Sequence, residues 1–280
     1  AAILLYDFVF YRAAPRQWAR TRAAVYGLFL VFAWLGWSYL HQRIIGAFED
    51  PGVISPLRYA LSQPRIIFEY LRLFVLPWGL CFDYAWPVSC PAQAWPWAIG
   101  LLLLLAASLW ALARKKPLGL LGCLFFLVLA PTSSFIPIED LMAEHRMYLP
   151  SAALAVAAGA GVTVLLGRLA GPEGRIRPVL LLAPALCLLV LAGLTARRNE
   201  DYRLGALHMW EDVAAKRPDN RRASAMVGIM LTGHGKWEEA APFLRRSVTG
   251  RGWIPQVAYA LAGNAYARTM ARLGRDQQAF

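Results

Sequence analysis

The chain has 280 residues, of which 58% are hydrophobic and only 16% charged, with a net charge of +12 and a mean hydropathy of +0.43. Soluble domains carry about 25% charged residues, so this composition excludes an ordinary soluble globular protein and points to a multi-pass membrane protein. The positive balance does not imply nucleic acid: the basic residues cluster beside apolar runs, as in a topology signal, and no nucleic-acid motif accompanies them.

The chain opens on AAILLYDFVFY. It lacks the basic leader and small-residue cleavage site of a signal peptide. It is read as the end of a membrane helix near 1–10, and the sequence is therefore expected to be a fragment. YRAAPRQWARTR (11–22) follows, with four arginines and no acid, then an apolar span over 23–40. Residues 41–65 form a polar loop with an EDPG turn at 49–52. The segment 66–80 is apolar but short, carries Glu69 and Arg72, and is broken by Pro77 and Gly79, which predicts an interfacial or re-entrant helix. Further spans are predicted over 95–113, 117–130, 148–167 and 178–195. With 66–80 not crossing, the basic loops 11–22, 114–117 and 168–177 share the cytoplasmic side. Loops 41–94 and 131–147 and the tail from 196 then share the external face. Trp86, Trp95 and Trp97 suit an interfacial aromatic belt. The expected domains are a membrane domain over 1–195 and a helical-repeat domain over 196–280.

The tail carries a tetratricopeptide-like pattern. Gly228 and Ala240 are twelve residues apart, as a glycine in the first helix and an alanine in the second require where the two cross. GKWEEA (235–240) reads as a turn and the start of the second helix. Ala206, Trp210 and Pro218 fit the second helix of a preceding unit, and Gly263 with Tyr266 the first helix of a following one. GRDQQA (274–279) resembles another second-helix start. A generic helical-hairpin array is the alternative. Repeats of this kind recognise a protein or peptide.

The stretch PTSSFIPIEDLMAEHRMYLPS (131–151) separates two apolar runs and gathers Glu139, Asp140, Glu144, His145, Arg146 and Tyr148 within ten residues. Ionisable groups at a membrane boundary mark a candidate functional site; a polar connection with self-paired charges is the alternative. Arg146 is the first candidate for bidentate phosphate binding, against pairing with Glu139, Asp140 or Glu144. Glu144 and His145 are sequence neighbours, which point in different directions on a helix and make no automatic dyad. Arg72 is a second candidate phosphate partner, or a snorkelling side chain paired with Glu69 at i, i−3. Asp83 could touch a polar substrate or serve as a turn residue, with Tyr84 beside it. Cys123 and Cys187 lie in apolar runs as packing residues. Cys81 and Cys90 could pair in an oxidising compartment. No hydrolase, P-loop, zincin or dinucleotide motif has a supporting context, and no Cys/His cluster suggests a metal site.

SPLRYALSQPRIIFEYLRLFVLPWGLCFDYAWPV (55–88), then LAPTSSFIPIEDLMAEHRMYLPSAAL (129–154), then the repeat tail together resemble the TMTC-type membrane glycosyltransferases. The form EHRMYLPS is similar to the bacterial variant. The resemblance implies an all-α fold: the C-terminal portion of a polytopic GT-C-like membrane domain followed by tetratricopeptide-like repeats. It implies a polyprenyl-phosphate-sugar donor, a protein hydroxyl as acceptor presented by the repeats, a bacterial inner membrane and periplasmic repeats. The catalytic acidic residue is expected N-terminal to this sequence, and a requirement for a divalent metal is left open. Arg146, His145, Glu144, Tyr148 and Arg72 become donor-side candidates, with Asp83 and Tyr84 on the acceptor side. A membrane-anchored repeat scaffold and a lipid-carrier-dependent polysaccharide ligase are the competing readings. A transporter fits less well, because the ionisable groups cluster at one face instead of along the spans.

Overall fold

The computed structural model describes residues 23, 27–28, 30–32, 34–38, 54–138, 140–169, 179–250 and 254–275. Among these residues it is all-helical, with no strand. The expected span near 1–10 lies outside the described residues; the described part of 23–38 is helical. Contacts divide the chain into two compact units. The first is Ala1–Pro77, Pro87–Leu141 and His145–Gly161; the second is Trp78–Trp86, Met142–Glu144 and Val162–Phe280.

In the first unit, α1 (Pro56–Val75) starts on a proline at its first turn, where the missing N–H costs nothing. It takes in most of the segment expected over 66–80 but begins earlier, and 76–80 lie outside it. The reason is Pro77: a residue before proline is pushed out of helical conformation, and Leu76 is extended. Tyr59, Ile66, Tyr70 and Leu73 are buried at helical spacing together with Ser62 and Gln63, one apolar face with two polar members.

The helix α2 (Pro91–Ala113) is capped by Cys90 with Gln93 folded back onto its N–H. Lys115, at φ 54°, turns the chain straight into α3 (Pro117–Leu129). The two helices pack closely because two glycines allow it. A Cβ on Gly119 would collide with the Leu112 nitrogen, and one on Gly122 with Ser108 Oγ. Small residues at such crossings let backbones approach where lipid supplies no hydrophobic drive.

A 3-10 turn (Glu144–Met147) leads into α4 (Tyr148–Leu169), and α5 (Val179–Arg203) follows. Among the described residues, three segments are long and apolar enough to cross a membrane: Pro91–Ala113, Glu144–Leu169 and Leu181–Arg203. They overlap the spans expected over 95–113, 148–167 and 178–195. At 13 residues, α3 is about 20 Å long, short of the hydrocarbon thickness of about 30 Å. The chain is a membrane protein with a helical repeat.

In the second unit α5 is followed by α6 (Ala206–Lys216), α7 (Arg221–Gly233), α8 (Trp237–Thr249) and α9 (Gln256–Arg272). Asp212 ties the end of α5 to α6, accepting from Arg198 at 3.2 Å and Lys216 at 2.7 Å. Asn220 caps α7 by accepting the Ala223 N–H at 3.0 Å. Gly235, at φ 74°, makes the turn into α8. The crossing of α7 and α8 rests on Gly228, where a Cβ would meet Leu244 Cγ at 2.5 Å; Leu244 is fully buried. This is the small-residue approach read from Gly228 and Ala240, and Ala240 is also fully buried. The helix α9 packs on both α7 and α8, with Thr232 and Thr269 hydroxyls 3.3 Å apart between α7 and α9.

Candidate functional site

The candidate residues divide between the two units, and Arg72 is paired with Glu69 apart from the contacts of Arg146. In the first unit, Arg146 sits in the 3-10 turn with its guanidinium among protein acceptors. One terminal nitrogen donates to the Tyr59 hydroxyl at 3.1 Å and to the Leu141 carbonyl at 3.3 Å, with the Thr132 carbonyl at 3.5 Å. The other donates to the Asp140 main-chain carbonyl at 2.5 Å. Tyr59 is fully buried and donates its own proton to the Thr132 carbonyl at 2.6 Å. Burial pushes the Tyr59 phenol up, and the neighbouring guanidinium opposes that shift. The same hydroxyl thus accepts from a cation and donates to a carbonyl, closing the 131–146 connection onto α1. A phosphate at Arg146 would have to compete with these carbonyls.

His145 and Tyr148 flank Arg146 and are both exposed, Tyr148 at 80%. Arg72 makes a two-pronged pair with Glu69: Nε to Oε2 at 2.9 Å and a terminal nitrogen to Oε1 at 2.6 Å. The i, i−3 pairing weighed for Arg72 is therefore present. Glu139 lies outside the described residues.

In the second unit, Glu144 is joined to Tyr84. One Glu144 oxygen accepts both the Tyr84 hydroxyl and the Cys81 N–H, each at 2.7 Å. Burial first, and the Glu144 carboxylate second, push the Tyr84 phenol strongly up. The Cys81 thiol is fully buried, donates to the Asp83 carbonyl at 3.3 Å, and is likewise raised by burial. Cys81 and Cys90 are both free thiols, the first buried and the second exposed.

Asp83 is a turn residue: its Oδ1 accepts the Ala85 N–H at 3.0 Å, which supports Ala85 at φ 40°, a conformation uncommon for a residue with a Cβ. Its Oδ2 lies 3.7 Å from Arg222 Nε. The segment around it is held by α6, α7 and the turn between them. Lys216 donates to the Leu80 carbonyl at 2.9 Å and Asn220 to the Asp83 carbonyl at 3.2 Å. Phe82 meets Trp210 edge-on at 5.2 Å, and the Arg217 guanidinium lies 5.4 Å from the Tyr84 ring centre.

Sequence reasoning did not single out Tyr59, Lys216, Arg217, Asn220 or Arg222 as partners of these residues. Tyr59 carried a signal, the spacing 59, 63, 66, 70, 73 along α1. Asn220, directly before a helix, carried the signature of an N-cap. Nothing in the sequence pairs 80–84 with 210–222.

Among the described residues there is no grouping of His, Cys, Asp and Glu suited to a metal ion. No protein-family model matches the chain, and no solved structure matches it. A stretch of 150 residues, 51% of the chain, is 28% identical to Protein O-mannosyl-transferase Tmtc2 of Drosophila melanogaster. The chain spans 15% of that relative's length.

Proposed function

We propose that this chain is part of a membrane glycosyltransferase of GT-C type, which moves a sugar from a polyprenyl-phosphate carrier to a protein hydroxyl on the external face of a bacterial inner membrane. The observation that carries the reading is the 150-residue similarity to an O-mannosyl-transferase, found in a chain that joins apolar membrane helices to a helical repeat. A hexose such as mannose is the proposed sugar, and the repeats are proposed to present the acceptor in the periplasm.

The donor-side roles follow from the contacts in the first unit. Arg146 shapes the connection by binding its carbonyls, and the exposed His145 and Tyr148 supply hydrogen-bond donors to the leaving polyprenyl phosphate. Such groups stabilise the charge that develops on the leaving oxygen, while a carboxylate takes the acceptor proton. No residue of this chain is assigned as that base.

The test is an assay of the complete protein in membranes with radiolabelled polyprenyl-phosphate hexoses, with His145→Ala and Tyr148→Phe alongside. Transfer to protein, reduced in both variants, supports the reading. Transfer to glycan alone replaces it with the ligase reading. The helical repeat also suits a non-enzymatic scaffold, and absence of transfer from every donor, with envelope proteins still captured by the repeats, favours that alternative.

A further inference from the structure

The helix α1 carries a second pattern besides its buried face. Arg58, Arg65 and Arg72 stand seven residues apart, so they follow one another along the helix with a drift of only about 20° at each step. Leu57, Leu61, Phe68 and Val75 form an adjoining apolar stripe, spaced four and seven residues apart. Neither line belongs to the core, because the buried Tyr59, Ile66, Tyr70 and Leu73 lie on a different side of the helix. Leu57 and Val75 are each 71% exposed; Arg58 and Arg72 are exposed too, and Arg65 is half-buried. Glu69 is the only acid of the helix.

The packing of α1 on α2 sets the depth of this ridge. Phe68 meets Trp97 with 5.4 Å between ring centres, and a Cβ on Gly100 would lie 2.9 Å from Phe68 Cζ. Both contacts fall in the first half of a helix long and apolar enough to cross a membrane. Tryptophans stand at both its ends: Trp95 and Trp97 near the start, and Trp110, with the Arg114 guanidinium 5.4 Å from its ring centre, near the finish. Such residues gather where a spanning helix passes from hydrocarbon to headgroups. Phe68 therefore lies at a membrane boundary, with Arg65 and Arg72 about one turn to either side of it. Long basic side chains at that level lay their stems along apolar surface and carry their charge to the headgroups.

We infer that the arginine ridge of α1 binds the phosphates of anionic phospholipids, while the stripe from Leu57 to Val75 meets their acyl chains. A helix with basic residues beside exposed leucine and valine is suited to such a surface, and a guanidinium fork matches phosphate oxygens. Three arginines against one glutamate leave the ridge positive. Arg72 already holds Glu69 by two prongs, so Arg58 and Arg65 make the larger contribution and Glu69 opposes it. The inference is independent of the transferase reading, because it needs phospholipid only and no transfer.

The experiment uses the full chain in mixed micelles with equal amounts of phosphatidylglycerol and phosphatidylcholine. Native mass spectrometry reads the ratio of the two lipids retained. The native chain retains phosphatidylglycerol preferentially. Arg58→Gln with Arg65→Gln lowers the ratio by about fivefold or more, the worth of a basic residue at an anionic surface. Lys115→Gln with Lys116→Gln removes the same charge at the far end of α2 and leaves the ratio nearly unchanged. Equal retention of both lipids by the native chain overturns the inference. So does an equal fall in the two double variants, which would reduce the effect to overall charge. Undecaprenyl phosphate, added in the same amount, should not displace the phospholipid; its retention in preference would make the ridge a carrier site and also overturn the inference. Should the arginine variant misfold by circular dichroism, Glu69→Gln decides. Loss of the ridge's acid raises the ratio, and an unchanged or lowered ratio refutes the site.

Discussion

Replacing Arg146 by alanine tests what that guanidinium does. It donates to four acceptors, of which Asp140 at 2.5 Å and Tyr59 at 3.1 Å are the short ones, and Thr132 at 3.5 Å is marginal. A hydrogen bond to a charged group contributes about 1.5–3 kcal/mol, and removing its donor also leaves carbonyls unsatisfied. Counting the two short bonds, with some relief from water entering the gap, Arg146→Ala costs about 3–5 kcal/mol of local stability. That corresponds to opening of the 131–147 connection roughly two to three and a half orders of magnitude more often. Amide hydrogen exchange in micelles, read peptide by peptide, measures this directly. Exchange in 131–143 should accelerate by that factor, while the middle of α2 stays protected. Arg146→Lys keeps the charge but not the fork, and should recover less than half of the loss. Tyr59→Phe removes one bond to Arg146 and one to Thr132, and should give about 1–2 kcal/mol. If Arg146→Ala left exchange in 131–143 within threefold of the native rate, the guanidinium would not be holding this connection. Its carbonyl contacts would then be incidental, and a direct role on a phosphate would become the better account.

The glycines of the repeat give an opposed pair. Gly228→Ala places a Cβ against Leu244 Cγ at 2.5 Å and its nitrogen at 3.2 Å, so overpacking of about 1–3 kcal/mol outweighs a helix-propensity gain of up to about 1 kcal/mol. Gly263→Ala meets nothing within 4 Å and should hold or raise stability; tryptophan-monitored thermal unfolding separates the two signs. Alkaline pH should loosen the segment at 78–86. Folding raises the Cys81 and Tyr84 pKa values, so their contribution is complete below the ordinary values of 9.0 and 10.0 and declines as pH rises above them. Phenolate absorbance from Tyr84 should appear only with unfolding, which the Tyr84→Phe difference spectrum checks. Maleimide should label exposed Cys90 well before buried Cys81; mass-spectrometric mapping of equal rates would contradict that burial.

The one-dimensional pattern was sufficient for the long apolar helices among the described residues and for the helix starts, while the run over 117–130, expected as a span, forms a 13-residue helix too short to cross. Apolar runs longer than a bilayer is thick had to become spanning helices, because backbone polar groups in lipid must be satisfied within the segment. Prolines at 56, 91 and 117 mark the first helical turns, where a missing N–H is harmless. The twelve-residue separation of Gly228 and Ala240 announced the crossing of α7 and α8, since only small residues admit two backbones so closely.

The partners of the charged side chains were not legible, because sequence distance says nothing about which groups meet. Arg146 had three nearby carboxylates as candidate partners in the sequence, yet its named bonds go to main-chain carbonyls and to Tyr59, 87 positions away. Main-chain acceptors carry no residue-type signal. Glu144 and Arg146 are separated by one residue, but one joins Tyr84 and the other Tyr59, because a 3-10 turn points successive side chains in different directions. Asp83, a turn residue by its sequence, is one, but folding also sets it against Arg222 and Asn220, more than 130 positions away. Hydrophobic period and small-residue spacing are local properties and survive in the sequence; the pairing of polar groups is decided only when the helices have packed.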